Sequence, residues 1–497
     1  MKFQTHLQNI LINPKSFFLK NLGVKQTIFK NTFWLAAADG ITKFLKLILI
    51  IYVARILGAT DYGRFNFALA FVGLFAFFSD LGISSITTRE ISQDKEKEKE
   101  FSSILSLKLL LVIGTLILIL IGSFFITPDY LNRKLIWILG VFAVVEGFSG
   151  IIFAFIQARQ KMEYQAWTKI LEALIVTAAG FFVILNFPSV ENLSYSYLFA
   201  SLVALIFILI FFHFRISPLK ISFQKSIWKR ILSMSWPLAI AGVFGVIYTN
   251  TDSIMMGYFG QITPIGWYNA AQKITNAALI IPGLIGVSFF PVLSKFFTKS
   301  KEKLQTIWNY FFELMIFLAV PTVAGGILLA PKIIDFIYDP SYLPSILAFK
   351  MLIIMAGISL LCSPFSQVLV VAHQQKKLFW ITLLGAIINV ILNSILIPRY
   401  SLYGAAVATV VTIFLILLLL FRFTLKLTPI KPFNLKFLFG FLSAIFATIP
   451  MYFIISQPRI YNLNVFPSIL IGAAIYTLIY LILKTLIKYS RLSLCKW

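Results

Sequence analysis

The chain has few charged residues for its length. Only 12% of its 497 residues are Asp, Glu, Lys or Arg, whereas 59% are apolar, and an ordinary soluble domain is about 25% charged. A soluble protein must cover its core with polar surface. A mean hydropathy of +0.91 therefore excludes a soluble globular protein built around one buried core. The composition therefore indicates an integral membrane protein whose solvent is lipid.

Metal-binding and disulfide-forming residues are also scarce. The chain has two cysteines and three histidines, and Cys362 and Cys495 lie far apart, one in an apolar segment and one in the tail. This excludes a disulfide framework and a metal centre built from Cys and His. No Gly-rich loop followed by Lys and Ser or Thr is present, so we expect no ATP hydrolysis. We predict no cofactor, no metal and no catalytic residue.

The net charge of +25 has two explanations. In a soluble protein it would suggest a nucleic-acid partner. In a membrane protein, Lys and Arg collect in cytoplasmic loops and set the orientation. Because the composition indicates lipid as the solvent, we favour the second explanation and expect no nucleic-acid partner.

Long apolar segments recur from residue 31 almost to the end of the chain. A helix needs roughly 20 apolar residues to cross the hydrocarbon core of a bilayer. We therefore predict an all-α polytopic membrane protein with about fourteen spans. The spans lie near 31–57, 63–87, 102–127, 134–158, 166–188, 195–214, 231–258, 265–295, 306–330, 345–372, 377–397, 402–424, 434–456 and 465–487.

The basic residues alternate between the two sides of the predicted membrane. Of the 43 Lys and Arg residues, 31 fall at the two termini and in the even-numbered connections, and seven fall on the opposite side. Because cytoplasmic loops collect Lys and Arg, both termini are predicted to be cytoplasmic. Residues 1–30 lack the pattern of a removable signal peptide, and we expect a short interfacial helix there.

The turns after the first and seventh predicted spans are similar. Segments 63–68 and 266–271 share the pattern Gly-x-aromatic-Asn-x-Ala at an offset of 203 residues. Six spans separate the two copies, so both point the same way across the membrane, as in a parallel repeat. The sequence thus predicts two six-helix lobes, followed by two additional C-terminal helices.

Several charged residues fall inside the predicted spans. A charge at mid-bilayer costs about 2.5–3.5 kcal/mol even on an insertion scale, so such residues usually face a polar interior. In the first span, Asp39, Lys43 and Lys46 have spacings of four and seven and share one helical face. The spacing places Asp39 to pair with Lys43.

Depth in the span divides the other intramembrane charges. For Lys108, Glu172 and Glu313, about two turns inside the cytoplasmic ends, we expect side chains that snorkel to the interface. Glu146 is near mid-span, and Asp252 and Lys273 lie on neighbouring spans where they could pair, while Asn389 and Asn393 lie one turn apart. We expect a water-filled, substrate-facing lumen, with sealed structural ion pairs as the alternative. The candidate lumen residues are Asp39, Lys43, Lys46, Glu146, Asp252 and Lys273.

Two blocks of the sequence carry a family resemblance. The first contains Tyr52-Val-Ala-Arg-Ile-Leu-Gly and Phe78-Ser-Asp-Leu-Gly, and the second contains Ser235-Trp-Pro and Asp252-Ser-Ile-Met-Met-Gly. Together they resemble the Wzx-type oligosaccharide flippases of the multidrug/oligosaccharidyl-lipid/polysaccharide exporter (MOP) superfamily. By span order the resemblance covers most of residues 30–425.

The resemblance implies a MATE/MOP-like fold and a transport function. A flippase of this kind would move undecaprenyl-pyrophosphate-linked oligosaccharide from the inner to the outer leaflet of the plasma (inner) membrane by alternating access, for cell-surface polysaccharide synthesis. Its partners would be that lipid-linked oligosaccharide, membrane lipids and a coupling ion, H⁺ or Na⁺. The resemblance suggests Asp39, Glu146 and Asp252 for the coupling ion, and Lys43, Lys46 and Lys273 for the pyrophosphate.

These expectations divide the chain into five segments and leave two alternatives open. The segments are a cytoplasmic N-terminal segment 1–30, an N-lobe 31–215, a cytoplasmic linker 216–230, a C-lobe 231–425, and the last two spans with a cytoplasmic tail, 426–497.

A MATE-like ion-coupled drug or cation antiporter of the same superfamily should have an acidic lumen. An integral membrane enzyme of polysaccharide assembly would need a larger aqueous domain than the connection near 330–345 offers, so we expect that the protein is not an enzyme.

Overall fold

The structure is a computed structural model that describes residues 18–19, 21–432 and 435–494. The described residues form helices and their connections and contain no strand. Most of the predicted interfacial helix in residues 1–30, and Cys495, lie outside them. The chain divides into two compact units, Met1–Asn250 and Thr251–Trp497. The lobe boundaries given above remain predictions.

Among the described residues from Val24 onward, seven α-helices begin in the first unit. They are α1 (Val24–Ala76), α2 (Ile83–Gln93), α3 (Phe101–Ile126), α4 (Tyr130–Ala158), α5 (Met162–Asn186), α6 (Val190–Arg215) and α7 (Lys225–Tyr258), the last of which continues into the second unit. The second unit then contains α8 (Ile262–Ala278), α9 (Ile280–Phe297), α10 (Lys301–Ile337), α11 (Ser345–Val371), α12 (Gln375–Leu427), α13 (Leu435–Ser456), α14 (Pro458–Tyr461) and α15 (Val465–Leu494).

Most of these helices have the length and composition of membrane spans. Within the described residues, ten helical segments are long and apolar enough to cross a membrane, or eleven if α8 and α9, which meet at a bend of 42°, count as one span. Large apolar side chains such as Phe125, Leu185 and Phe214 are exposed on the helix surfaces, as expected where the solvent is lipid. The predicted all-helical membrane fold is therefore confirmed.

Helix α1 is broken into two antiparallel arms at Gly58. A straight helix of its 53 residues would be about 80 Å long, whereas the hydrocarbon core is only about 30 Å thick. Gly58 has φ 73° and ψ 174°, a conformation that favours glycine because a Cβ would be strained there.

One contact near the beginning of α1 and one near the end of α2 show that the chain reverses direction between them. Lys30 Nζ lies 2.9 Å from Glu163 Oε2, and Thr88 Oγ1 lies 3.1 Å from the carbonyl oxygen of Ala154. Both partners flank the short connection between α4 and α5. The beginning of α1 and the end of α2 therefore lie at the same end of the unit.

Helix α12 is broken in the same way in the second unit. Ser401 has φ 53° and ψ −133° inside the helix. Near the two ends of α12, Lys377 Nζ lies 5.9 Å from the ring centroid of Phe423, so the two arms run antiparallel. Each unit thus contains one long helical segment that is a hairpin of two arms.

Aromatic clusters hold the helices together within each unit. In the first unit, Phe101 lies 4.6 Å from Phe155 and 5.6 Å from Phe212 between ring centroids. In the second, Trp308 stacks on Phe312 at 5.0 Å and donates its indole N–H to the carbonyl oxygen of Pro364 at 3.1 Å. Such pairs stabilise packing beyond their buried area and fix the helices that carry the polar residues.

The backbone at Gly58 yields a first prediction. Gly58→Ala should lower the thermal unfolding midpoint of the detergent-purified protein, because this positive-φ, extended-ψ region is essentially restricted to glycine and costs a residue with a Cβ about 1–3 kcal/mol. No heavy atom lies within 4 Å of a Cβ built at Gly58 or at Gly40, so sterics do not distinguish the two positions. Gly40 has helical backbone in the same arm, and Gly40→Ala should keep or raise the midpoint. Equal midpoints for the two variants would contradict the strain assigned to Gly58.

Candidate functional site

The first arm of α1 carries an ion pair whose side chains are exposed on the helix surface. Lys43 Nζ lies 2.8 Å from Asp39 Oδ2, and the two side chains are 63% and 64% exposed. This is the pair that the spacing of four residues predicts. Because an exposed pair contributes at most about 1 kcal/mol to stability, both charges are available to a ligand at little cost to the fold.

One turn further along, Lys46 reaches a different helix. Its Nζ lies 3.3 Å from Glu172 Oε1 on α5, and Lys46 remains about one-third exposed while Glu172 is buried. The expectation that Glu172 snorkels to the interface is therefore wrong. Its buried carboxylate is compensated inside the protein by a lysine from another helix, which removes the need to reach water.

A third charged residue completes this cluster. Glu146, on α4, lies close enough to Glu172, Lys46 and Lys169 to interact with all three electrostatically. We call Lys46, Glu146 and Glu172 the acid–lysine cluster. It brings together two of the predicted site residues, Lys46 and Glu146, from helices that are distant in sequence.

Close packing of α1 against α5 explains why Lys46 meets Glu172. Two turns beyond Glu172, a Cβ built at Gly180 would lie 2.8 Å from the methyl groups of Leu49. Only glycine leaves room for Leu49 there, so the two helix backbones approach closely. Lys46, which precedes Leu49 by one turn, is thereby directed at α5.

The second unit contains a buried polar cluster around Asp252 on α7. Its Oδ1 accepts a hydrogen bond from Asn393 Nδ2 at 2.7 Å, and its Oδ2 accepts one from Thr409 Oγ1 at 3.0 Å and one from the hydroxyl group of Tyr268. Asn393 also donates to Asn389 Oδ1 at 3.1 Å. We call these five residues the Asp252 cluster.

The predicted pair between Asp252 and Lys273 is absent. Among the residues that the structure describes, Lys273 is partly buried and has no acidic side chain within ion-pair distance. Asp252 is compensated by three neutral donors instead, and such donors can satisfy a buried carboxylate without a counter-ion. Lys273 is therefore not an ion-pair partner of Asp252.

The other two residues expected to snorkel also have protein partners. Lys108 is fully buried and lies 2.6 Å from Asp80 Oδ1, at the break between α1 and α2. Glu313 lies 2.7 Å from Lys484 Nζ and accepts a hydrogen bond from the hydroxyl group of Tyr480 at 3.0 Å. The prediction is wrong for Lys108, and for Glu313 it omits the partner.

The sequence-based list of candidate residues missed five residues of these clusters. Glu172 was assigned to the interface, and Tyr268 was noted only as the aromatic residue of segment 266–271. Thr409 gave no signal, because single hydroxyl groups are common in membrane helices. The one-turn spacing of Asn389 and Asn393 was the only available indication of a polar helix face opposite Asp252. Within residues 18–19, 21–432 and 435–494, no group of three or more His, Cys, Asp or Glu could hold a metal ion.

Two solved structures share the fold of this chain. The structure titled "Lipid II flippase MurJ, inward closed conformation" matches with a TM-score of 0.74 at 18% identity, over 92% of this chain and 99% of that chain. An inward-facing multidrug resistance MATE family transporter of the MOP superfamily matches with a TM-score of 0.64 at 16% identity, over 78% of this chain and 94% of that chain. The fold is that of the MOP membrane proteins.

The sequence then defines the family. Residues 28–297 match the family described as "Polysaccharide biosynthesis protein", and the chain belongs to this family. It is 25% identical over 459 residues to "Probable flippase AglR" of Haloferax volcanii, which covers 89% of this chain and 93% of that relative. The resemblance to polysaccharide flippases of the MOP superfamily is thus confirmed.

The Asp252 cluster yields a second prediction. Tyr268→Phe removes one of the three donors to a buried carboxylate, which should cost about 1–3 kcal/mol of stability. The matched control is Tyr258→Phe, because Tyr258 is 63% exposed and should change stability by less than about 0.5 kcal/mol. Thermal unfolding of the two purified variants measures the difference. Equal midpoints would show that the Tyr268 hydroxyl group does not support Asp252.

Proposed function

We propose that this protein is a flippase for undecaprenyl-pyrophosphate-linked oligosaccharide. It moves the lipid-linked unit from the inner to the outer leaflet of the plasma membrane by alternating access, and it thereby supplies cell-surface polysaccharide synthesis. The observation that carries the proposal is Lys46, a partly exposed ammonium group inside an apolar helix of a polysaccharide biosynthesis family member.

The substrate headgroup needs two kinds of compensation in the membrane. Its pyrophosphate is anionic, and an uncompensated charge is expensive in hydrocarbon. The exposed Lys43 and the partly exposed Lys46 are cations that can bind it. The sugar hydroxyl groups need hydrogen-bonding partners, and the Asp39 carboxylate is one acceptor on the same helix face. Lys273 remains a predicted contact for the same headgroup.

We also propose that the chain crosses the membrane fourteen times. The hairpins within α1 and α12 turn two of the ten recognised segments into four crossings, and α7 and the bent pair α8–α9 supply two more. Loop charge then places both termini in the cytoplasm.

A parallel repeat is consistent with matching local structure in the two units. Asn66 Nδ2 donates to the carbonyl oxygen of Tyr62 at 2.8 Å, and Asn269 Nδ2 donates to that of Ile265 at 3.0 Å. The donors of the two hydrogen bonds are 203 residues apart, and so are the acceptors, which is the predicted offset. This supports two six-helix lobes followed by two further spans.

The Asp252 cluster is our candidate for the coupling ion, H⁺ or Na⁺. A carboxylate surrounded by hydroxyl and amide oxygens is a ligand set that suits a hard cation. Asn393 Oδ1 is buried and, among the described residues, has no hydrogen-bond partner, so an acceptor is available beside Asp252. We therefore assign coupling to Asp252 with Asn389, Asn393 and Thr409 rather than to the exposed Asp39.

A translocation assay tests the substrate-binding lysines. In proteoliposomes containing a fluorescent lipid-linked oligosaccharide, Lys46→Ala should lower the rate of translocation about tenfold, since a charged contact contributes roughly 1.5–3 kcal/mol. Lys43→Ala should lower it as well. The matched control is Lys134→Ala, because Lys134 pairs with Glu191 at 2.5 Å on the predicted outer side and should be dispensable. Wild-type rates for both Lys43→Ala and Lys46→Ala would remove these residues from the substrate site.

An imposed ion gradient tests the coupling site. In the same proteoliposomes, an inward Na⁺ or H⁺ gradient should accelerate translocation by the wild type. Asp252→Asn removes the charge but keeps the shape of the side chain. It should therefore abolish the acceleration and leave unchanged the translocation rate that is measured without a gradient. Acceleration that persists in Asp252→Asn would place coupling elsewhere.

A further inference from the structure

An ion pair near the predicted cytoplasmic end of α10 has no part in the proposed function. Glu313 Oε1 lies 2.7 Å from Lys484 Nζ on α15 and accepts a hydrogen bond from the hydroxyl group of Tyr480 at 3.0 Å. Both contacts use the same oxygen atom. Among the described residues, no donor is hydrogen-bonded to Glu313 Oε2, so the carboxylate can accept a further cationic donor.

A cavity adjoins this carboxylate. It has a volume of about 110 Å³ and lies between α10 and α13, with Tyr310, Glu313 and Gly440 among its lining residues. A single water molecule needs about 10–15 Å³, so the cavity has room for a small polar group. Gly440 keeps the cavity open, because a Cβ there would already lie 3.4 Å from Glu313 Cγ and a larger side chain would fill the space.

The side chains around the cavity suit an ammonium group. The ring centroid of Tyr310 lies 5.7 Å from Lys484 Nζ, and that of Tyr480 lies 6.0 Å from the same atom. Aromatic ring faces and a carboxylate both attract a cation. Lys484 is thus an ammonium group that Glu313 and the two tyrosines already bind, and the cavity offers a second ammonium group the free oxygen of Glu313 and the ring of Tyr310.

An apolar groove continues between the same two helices. Ile316 lines the cavity beside Glu313, and Val320, one turn further along α10, lines the groove, which has a volume of about 370 Å³. The other residues that line the groove are on α13 and are Ile445, Thr448, Ile449, Tyr452 and Phe453. The polar cavity and the apolar groove therefore follow each other along α10 in the order of the headgroup and the acyl chain of a phospholipid.

We propose that α10 and α13 bind a membrane phospholipid whose headgroup carries both an ammonium group and a phosphate, as in phosphatidylethanolamine. The ammonium group enters the cavity and binds Glu313 Oε2 against the ring of Tyr310. The phosphate binds Lys484, whose side chain is about half exposed, and an acyl chain lies in the groove. This site is separate from the lysines of α1 and does not depend on the oligosaccharide cargo.

Charge balance selects this headgroup over an anionic one. The pair of Glu313 and Lys484 is neutral, and so is a headgroup with one ammonium group and one phosphate. Opposite charges then alternate around the four groups, and no charge is left uncompensated in a medium of low dielectric constant. An anionic headgroup such as that of phosphatidylglycerol brings a phosphate without an ammonium group, and Glu313 repels it.

Native mass spectrometry of the purified full-length protein with added lipid tests the proposal. The probes are dioleoyl phosphatidylethanolamine and dioleoyl phosphatidylglycerol, which share their acyl chains and phosphate and differ in the ammonium group. The wild type should bind the first about tenfold more tightly, because a hydrogen bond to a charged group contributes at least that factor. In Glu313→Gln this preference should disappear while both lipids still bind. Equal affinities or no binding in the wild type, or a preference that persists in Glu313→Gln, would overturn the proposal.

Three further variants separate the lipid site from a general effect of the substitution. Glu191→Gln breaks a pair with Lys134 of similar exposure in the first unit, and it should keep the preference. Gly440→Val retains both charges of the site but fills the cavity, so it should lower the affinity for phosphatidylethanolamine about tenfold. Its matched control is Gly114→Val on α3, where no heavy atom lies within 4 Å of a built Cβ and the affinity should not change. Wild-type affinity in Gly440→Val would show that the headgroup does not enter the cavity.

Soluble phosphoethanolamine distinguishes a membrane lipid from a free metabolite as the ligand. It carries the same ammonium group and phosphate but has no acyl chain to occupy the groove. At millimolar concentration it should leave dioleoyl phosphatidylethanolamine bound to the wild type. Displacement of the lipid by phosphoethanolamine would show that the groove adds nothing to binding and would overturn the lipid as the occupant of this site.

Discussion

Compensation of charge inside an apolar medium is the constraint on which the structure depends. A charge that cannot reach water must find its partner within the protein, and here the partners come from distant parts of the sequence. Lys30 meets Glu163, and Lys108 meets Asp80, each with the lysine fully buried. These pairs join helices that are not consecutive in the sequence. They therefore specify which helices pack together, in addition to neutralising the buried charges.

The acid–lysine cluster and the Asp252 cluster satisfy this constraint by different means. The acid–lysine cluster uses opposite charges, and its Lys46 is about one-third exposed although it takes part in an ion pair. The second surrounds Asp252 with neutral donors and leaves an amide oxygen, Asn393 Oδ1, without a partner among the described residues. A lysine that can change partners suits an anion, whereas a carboxylate among oxygen atoms suits a cation. This difference in chemistry underlies our assignment of substrate binding to one unit and ion coupling to the other.

The sequence predicted those features that depend on local spacing or on composition. The membrane class follows from apolar content, and the Asp39–Lys43 pair follows from a separation of one helical turn. The Lys46–Glu172 pair joins residues 126 positions apart, and no pattern in a single sequence indicates such a contact. The same holds for Asp252, whose partners are neutral residues 16, 141 and 157 positions away. Lys273 was assigned to Asp252 because opposite charges on neighbouring helices suggest a pair, but hydroxyl and amide groups satisfied the carboxylate instead.

The choice between a flippase and a cation antiporter depends on whether the transported molecule is an anion or a cation. Both classes share the MOP fold, so the fold does not decide between them. The family match and the lysines of α1 favour an anionic, lipid-linked cargo. The most direct measurement follows a fluorescent lipid-linked oligosaccharide and ethidium in the same wild-type proteoliposomes. Our account predicts that the oligosaccharide reaches the opposite leaflet while ethidium is not exchanged. Exchange of ethidium without movement of the oligosaccharide would contradict it.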